Sequence, residues 1–161
     1  MLEREIPFLA GSIRLQSSPN TLVSLVDREG RVKVSFFGGL SLRRALDPER
    51  SAHNGIWIAS LLDLAATKIK VVQDRAEAKD YFDIGRILQE GLDLGDALAA
   101  ARSIYGPSFN PLLSLKALTY FQDGDLSALP KELQVRLSTA VQNVDLERLP
   151  EPPTQPGGLL P

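Results

Sequence analysis

The sequence predicts an α+β fold in which a small antiparallel β portion is followed by a helical bundle. Two observations carry this prediction. Residues 21–27 and 31–37 are β-rich runs joined by a Gly-containing turn. From Ser60 onward, apolar residues recur at three- and four-residue steps between recognisable caps. A chain of 161 residues suits one core with trimmings, organised as a β-containing portion over 1–59, a bundle over 60–148 and a proline-rich tail over 149–161.

In the second β run the two-residue period of strands puts Val32, Val34 and Phe36 on one face and Lys33, Ser35 and Phe37 on the other. Residues 38–54 hold Gly38-Gly39, Asp47-Pro48 and Asn54 without a sustained apolar period, so a loop is expected, with a short helical piece around Leu42 to Leu46. Residues 55–59 read as one more short strand. Ser60 then stands as N-cap to a helix reaching about Asp74, with Asp63 in its first turn. A second helix is expected from about Glu77 to Glu90, stopped by Gly91, and a third from behind Asp93 to near Gly106-Pro107. Asn110-Pro111 pairs a cap with proline at the first helical position, opening a helix to about Phe121 with Leu112, Leu115, Leu118 and Phe121 as its core stripe. Pro130 opens the last helix, in which Leu133, Leu137, Ala140, Val141 and Val144 recur at helical spacing. The tail lacks periodicity and enough apolar area to offset the entropy of ordering it.

Composition narrows the function. No cysteine is present, which removes disulfide frameworks, thiolate metal sites and cysteine nucleophiles and suits a reducing compartment. The longest apolar run falls far short of the roughly 20 residues that span a bilayer, and the first five residues are too charged for a signal peptide. A cytoplasmic location without membrane contact follows as the expectation. With 18 basic and 20 acidic residues the balance is slightly negative, which disfavours nucleic acid as an autonomous ligand. His53 is the lone histidine and has no second metal-binding neighbour, so no metal ligand set and no serine triad is expected. Trp57, Tyr81, Tyr105 and Tyr120 are spread over different elements and read as core or boundary residues.

Two charges sit where apolar residues belong. Advancing about 100° per residue, the helix from Leu61 carries Asp63, Lys70 and Asp74 on a polar arc, with Leu61, Leu62, Ala65, Ile69 and Val72 opposite. Lys68 falls inside that apolar arc. The next helix buries Tyr81, Ile84, Ile87 and Leu88, and Asp80 falls among them with Asp83 about one turn on. A lone buried ion costs several kcal/mol (~3 or more), so Lys68 and Asp80 are expected to meet or to share a polar pocket. Either they lock a helical hairpin or they belong to a working site. Between them, Arg75 and Lys79 are placed to hold a phosphate near a helix N-terminus, unless the connection is simply a solvated, charge-balanced loop.

At these residues the chain resembles the nucleotidyltransferase-like AbiEii toxin family. The resemblance rests on Ser60-Leu-Leu-Asp-Leu-Ala-Ala-Thr-Lys68, then Arg75, then Lys79-Asp80-Tyr81-Phe82-Asp83-Ile84. It extends from about Thr21 to Gly124, with the stretch from Asp63 to Asp83 the specific part. It implies a nucleotidyltransferase-like fold, catalytic roles for Lys68, Asp80 and Asp83, and nucleotide binding by Arg75 and Lys79. It also implies an antitoxin or second-chain partner, and transfer of a nucleotide from NTP with Mg2+, with tRNA as an acceptor. The family's Gly-Gly or Gly-Ser turn followed by an Asp-x-Asp pair is not matched. Gly11-Ser12 precedes no acidic pair, Gly38-Gly39 reaches only Asp47-Pro48-Glu49, and on the strand from Arg31 to Phe37, where the resemblance implies a third carboxylate, the inward candidates are Lys33 and Ser35, neither acidic. The chain therefore resembles a C-terminal, truncated or degenerate piece of the family, transferring nucleotide only if an N-terminal part completes it. The alternative is a non-enzymatic helical interaction domain with a structural Lys68–Asp80 pair.

Overall fold

A computed structural model describes residues 5–151; residues 1–4 and all but the first residues of the proline-rich tail lie outside the described range. The fold is α+β. The chain divides into two compact units between Ser41 and Leu42.

The first unit is a three-stranded antiparallel sheet ordered β1 (Ile13–Ser18), β2 (Thr21–Arg28), β3 (Gly30–Phe37). β2 and β3 form the expected hairpin, with Leu22 opposite Phe36, Ser24 opposite Val34 and Val26 opposite Val32. Val34 and Phe36 are half-buried while Lys33, Ser35 and Phe37 are exposed, so the alternation holds at Val34 and Phe36 but not at Val32, which is exposed. Lys33 and Ser35 are thus not inward-facing as the sequence suggested. β1 was not expected: Ile13, Arg14, Leu15 and Gln16 alternate in polarity for only four residues, every residue of the strand is exposed, and it is held by backbone pairing to β2, interrupted between Arg14 and Gln16.

The second unit holds a two-stranded ribbon, β4 (Glu49–Arg50) with β5 (Trp57–Ile58), and five α-helices among the described residues. These are α1 (Leu61–Val71), α2 (Ala78–Gln89), α3 (Leu94–Tyr105), α4 (Pro111–Ala117) and α5 (Lys131–Gln142). The three polar residues placed ahead of helices in the sequence all cap through their side chains: Ser60 accepts from Asp63 N–H, Asp93 from Gly95 N–H and Asn110 from Leu112 N–H. Pro130 stands directly before the last helix, as expected, without a side-chain cap bond.

α3 is the spine of this unit. Its Leu94, Ala97, Leu98, Ala100, Ala101 and Ile104 are all buried, and the alanines let α1 lie close along it. α1 contributes Ala65, Ala66, Ile69 and Val72, and α2 contributes Tyr81, Ile84 and Ile87. α2 also packs on α5, where Gly85 leaves room for Leu133: a Cβ there would overlap Leu133 Cδ1.

Several expectations are corrected by packing. Residues 42–46 are irregular, with a bend at 45–46, rather than a helix, and the Asp63 carboxylate takes the Ala45 and Leu46 N–H groups (2.6 and 3.1 Å). Those bonds tie the segment after Ser41 to α1. Leu61 and Leu64 stay exposed, so the buried arc of α1 is narrower than the apolar arc of its sequence. α4 stops at Ala117 and exposes Leu112, while Leu115 and Leu118 are buried as expected. Trp57 and Tyr120 are exposed rather than core residues. No helix among the described residues is long and apolar enough to cross a membrane.

Candidate functional site

The two misplaced charges meet. Lys68, in the last turn of α1, directs its ammonium to Asp80 Oδ1 (2.8 Å) in the first turn of α2 and to Asp83 Oδ2 (2.6 Å) one turn further along. Spacing of three residues stacks Asp80 and Asp83 on one helical face, which is why a single ammonium reaches both. Arg75, from the connection between the helices, closes on the same carboxylate: Nε donates to Asp80 Oδ2 at 2.9 Å and Nη2 to Oδ1 at 3.3 Å. The flat guanidinium suits this two-pronged contact, which a lysine would not reproduce.

Burial grades outward from the carboxylate. The Asp80 side chain is 0% exposed, Lys68 21%, Arg75 43% and Asp83 51%. Burial opposes the charge on Asp80, but Arg75 and Lys68 outweigh it and hold the carboxyl below its ordinary value. Lys68 is pushed the other way: its desolvation is outweighed by Asp80 and Asp83, which raise the ammonium above its usual range. Both partners are therefore ionised at neutral pH. Under the same carboxylate, Tyr81 is buried with its hydroxyl donating to Ala117 C=O at 3.1 Å; burial, and then the Asp123 and Asp80 charges, push it up to about 12.

Not every sequence candidate joins this cluster. Lys79 is exposed and pairs with Glu77, which also takes Arg75 Nη1 at 3.5 Å. Arg75 is drawn back onto Asp80 rather than lying free beside a helix N-terminus. That N-terminus is also taken: Asp125 Oδ1 accepts the Ala78 N–H at 2.7 Å, since Glu77, the local cap position, makes no side-chain cap bond. Sequence reasoning missed Asp125. The available signal was the weak cap residue at the start of α2, which leaves its first N–H groups in search of an acceptor.

Magnesium does not fit this cluster. Both Asp80 oxygens are engaged by cations and Asp83 rests on Lys68, so a divalent ion would have to displace an ammonium or a guanidinium to gain a ligand. Among the described residues, no group of three or more His, Asp or Glu side chains is placed to hold a metal.

The family model described as nucleotidyl transferase AbiEii toxin, type IV TA system, matches residues 12–151. An uncharacterized protein of Aquifex aeolicus (strain VF5) is 30% identical over 125 residues, which is 76% of this chain and 57% of that protein. The chain thus spans little more than half the length of that curated relative. No solved structure matches the chain.

Proposed function

This chain belongs to the AbiEii nucleotidyl transferase toxin family, and from that premise we propose that its helical unit supplies the phosphate-gripping side of a nucleotidyl transfer site. One observation carries the proposal: a fully buried Asp80 holds two cations, Lys68 and Arg75, that both remain partly open to solvent. A buried carboxylate fixes the positions of the two heads, and their remaining N–H groups are free to meet a polyanion.

In the proposed reaction an acceptor hydroxyl attacks the α-phosphorus of an NTP and pyrophosphate leaves. Lys68 and Arg75 neutralise negative charge on the phosphates, with Asp80 and Asp83 orienting Lys68. Lys79, exposed beside Glu77, would extend the cationic rim toward the outer phosphate. Divalent-ion chemistry requires carboxylates from outside this cluster, so transfer is proposed only where an acidic pair is supplied to it. The type IV description suggests an antitoxin partner, and tRNA is the acceptor we propose.

A second reading has its own observation. Every charge in the network already has a partner inside the protein, as in a structural lock between α1 and α2. Calorimetric titration with each of the four NTPs separates the two. Phosphate gripping predicts binding that falls about tenfold or more when Lys68→Met removes one charged contact. Absence of binding by the wild-type protein, or equal binding by Lys68→Met, leaves the structural lock.

A further inference from the structure

We propose that Asp125 and Gly124 form a clamp that positions Arg75, a role that rests on the phosphate-gripping reading of the Lys68, Arg75 and Asp80 cluster. The connection between α1 and α2 has to deliver the Arg75 guanidinium onto a carboxylate only five residues further along, so its path decides where the guanidinium sits. Two ties from distant chain fix that path. At its start, Gln73 Nε2 donates to Asn110 C=O (2.9 Å) and Ser114 Oγ (2.7 Å), and the buried Ser114 hydroxyl donates on to Ile69 C=O (2.8 Å). At its end, Asp125 takes the Ala78 N–H (2.7 Å), and Gly124 lies against Ala76 so closely that a Cβ would stand 2.5 Å from the Ala76 carbonyl oxygen. Gly124 also has a φ of +55°, so a side chain there would be strained as well as obstructed.

Arg75 therefore sits between two anchored points, one on either side in sequence, while its own side chain is 43% exposed. Releasing the second anchor removes the acceptor that starts α2, and frees Arg75 to exchange its contact with Asp80 for water. Lys68, carried by α1, keeps its own bonds. The clamp thus acts on one of the two cations and leaves the other in place, which makes it distinguishable from general loosening of the fold.

The test uses the full chain and two readouts. In the ligand-free protein, the Arg75 Nε–H resonance, assigned by its loss in Arg75→Lys, should be slow to exchange with solvent in wild type. It should exchange rapidly in Asp125→Ala and Gly124→Ala, and recover in Asp125→Asn, whose amide oxygen still accepts the Ala78 N–H. With inorganic tripolyphosphate as probe, Asp125→Ala should weaken binding about tenfold, the worth of one charge-assisted contact. It should add nothing to Arg75→Ala, yet add in full to Lys68→Met. An Arg75 resonance unchanged in Asp125→Ala, or an Asp125 effect that persists undiminished in Arg75→Ala, overturns the clamp. If the wild-type protein binds no tripolyphosphate, the phosphate-gripping reading fails, and the Arg75 resonance still decides whether the clamp positions this side chain.

Discussion

Replacing Asp80 with alanine removes the one group that both cations share. Taking one partner from a buried ion pair costs about 3–5 kcal/mol, because the other charge is left without compensation. Here the abandoned cations are not fully buried, and each retains a second carboxylate: Asp83 at 2.6 Å for Lys68 and Glu77 at 3.5 Å for Arg75. The cost is accordingly reduced to about 2–3 kcal/mol, or about 5–10 °C in the midpoint for a chain of this size. Lys68→Met is milder, since Asp80 keeps both contacts from Arg75 and Asp83 is half-exposed; about 1 kcal/mol is expected. The pH dependence has a definite sign. Asp80 has a lowered pKa in the folded state, so its contribution is present above the ordinary value of 3.8 and is lost as pH falls through the folded value. Urea unfolding followed by far-ultraviolet circular dichroism, which reports the helical unit, measures all three quantities. A Lys68→Met cost that equals or exceeds that of Asp80→Ala would refute the reasoning, as would an Asp80→Ala difference that does not shrink in strong acid.

Tyr81 makes an alkaline prediction. Its pKa is raised from 10.0 to about 12, so its contribution is complete below the unfolded value and is lost as pH rises from there to about 12. Tyr81→Phe should cost about 1 kcal/mol at neutral pH and make the fall in urea midpoint over that window shallower; an unaltered slope would show that Tyr81 does not titrate there. Gly85→Ala should cost about 1–3 kcal/mol by pushing into Leu133, but much less in a Leu133→Ala background, where the methyl fills vacated space. Additive costs in that double-mutant cycle would place the strain elsewhere. The paired replacement Lys68→Met with Asp80→Leu should unfold within about 1 kcal/mol of wild type, since exchanging a buried ion pair for apolar groups is commonly near neutral. The same protein should bind NTP at least about tenfold more weakly, and retained affinity would exclude the pair from phosphate binding.

The features legible in the sequence are those set by neighbours along the chain. Ser60, Asp93 and Asn110 are short polar side chains ahead of apolar-periodic runs, and each caps the helix it was expected to cap. Lys68 and Asp80 were recognisable because each interrupts an apolar arc, and the cost of an unpaired buried charge implies that they meet, as they do at 2.8 Å. The missed features depend on chain far removed. β1 buries no residue and its alternation lasts only from Ile13 to Gln16, so its strand state comes from its pairing with β2. The short helix expected at Leu42 to Leu46 gives way to irregular chain, where the Asp63 carboxylate binds backbone 17 and 18 residues earlier. The cap on α2 comes from Asp125, 47 residues after the N–H it accepts. The local spacing of Arg75 fits either a phosphate contact or a solvated loop, and nothing in it indicates that the guanidinium is drawn onto Asp80.

The gradient of exposure bears on why a charged network stands where apolar packing would serve. Burying charge for stability alone is a poor bargain, because a carboxylate gives up its hydration and recovers at most a comparable attraction. A lock between α1 and α2 could be made from residues like the Ile69, Val72, Ile84 and Ile87 already buried in the same unit's core. What apolar residues cannot do is hold a lysine and an arginine head at fixed positions with part of each facing solvent. Asp80 does this: it is fully enclosed, both of its oxygens are used, and the cations it holds are 21% and 43% exposed. Asp83 then limits how far the Lys68 head can turn. The outer side of the network is mixed in sign, since Asp83 is 51% and Glu77 42% exposed beside the two cations, so a structural role also accounts for the pairing. What separates the two readings is the pair of outcomes: on the proposed phosphate-gripping reading Asp80→Ala damages the fold while Lys68→Met chiefly damages binding, whereas a structural lock loses stability in both and binding in neither.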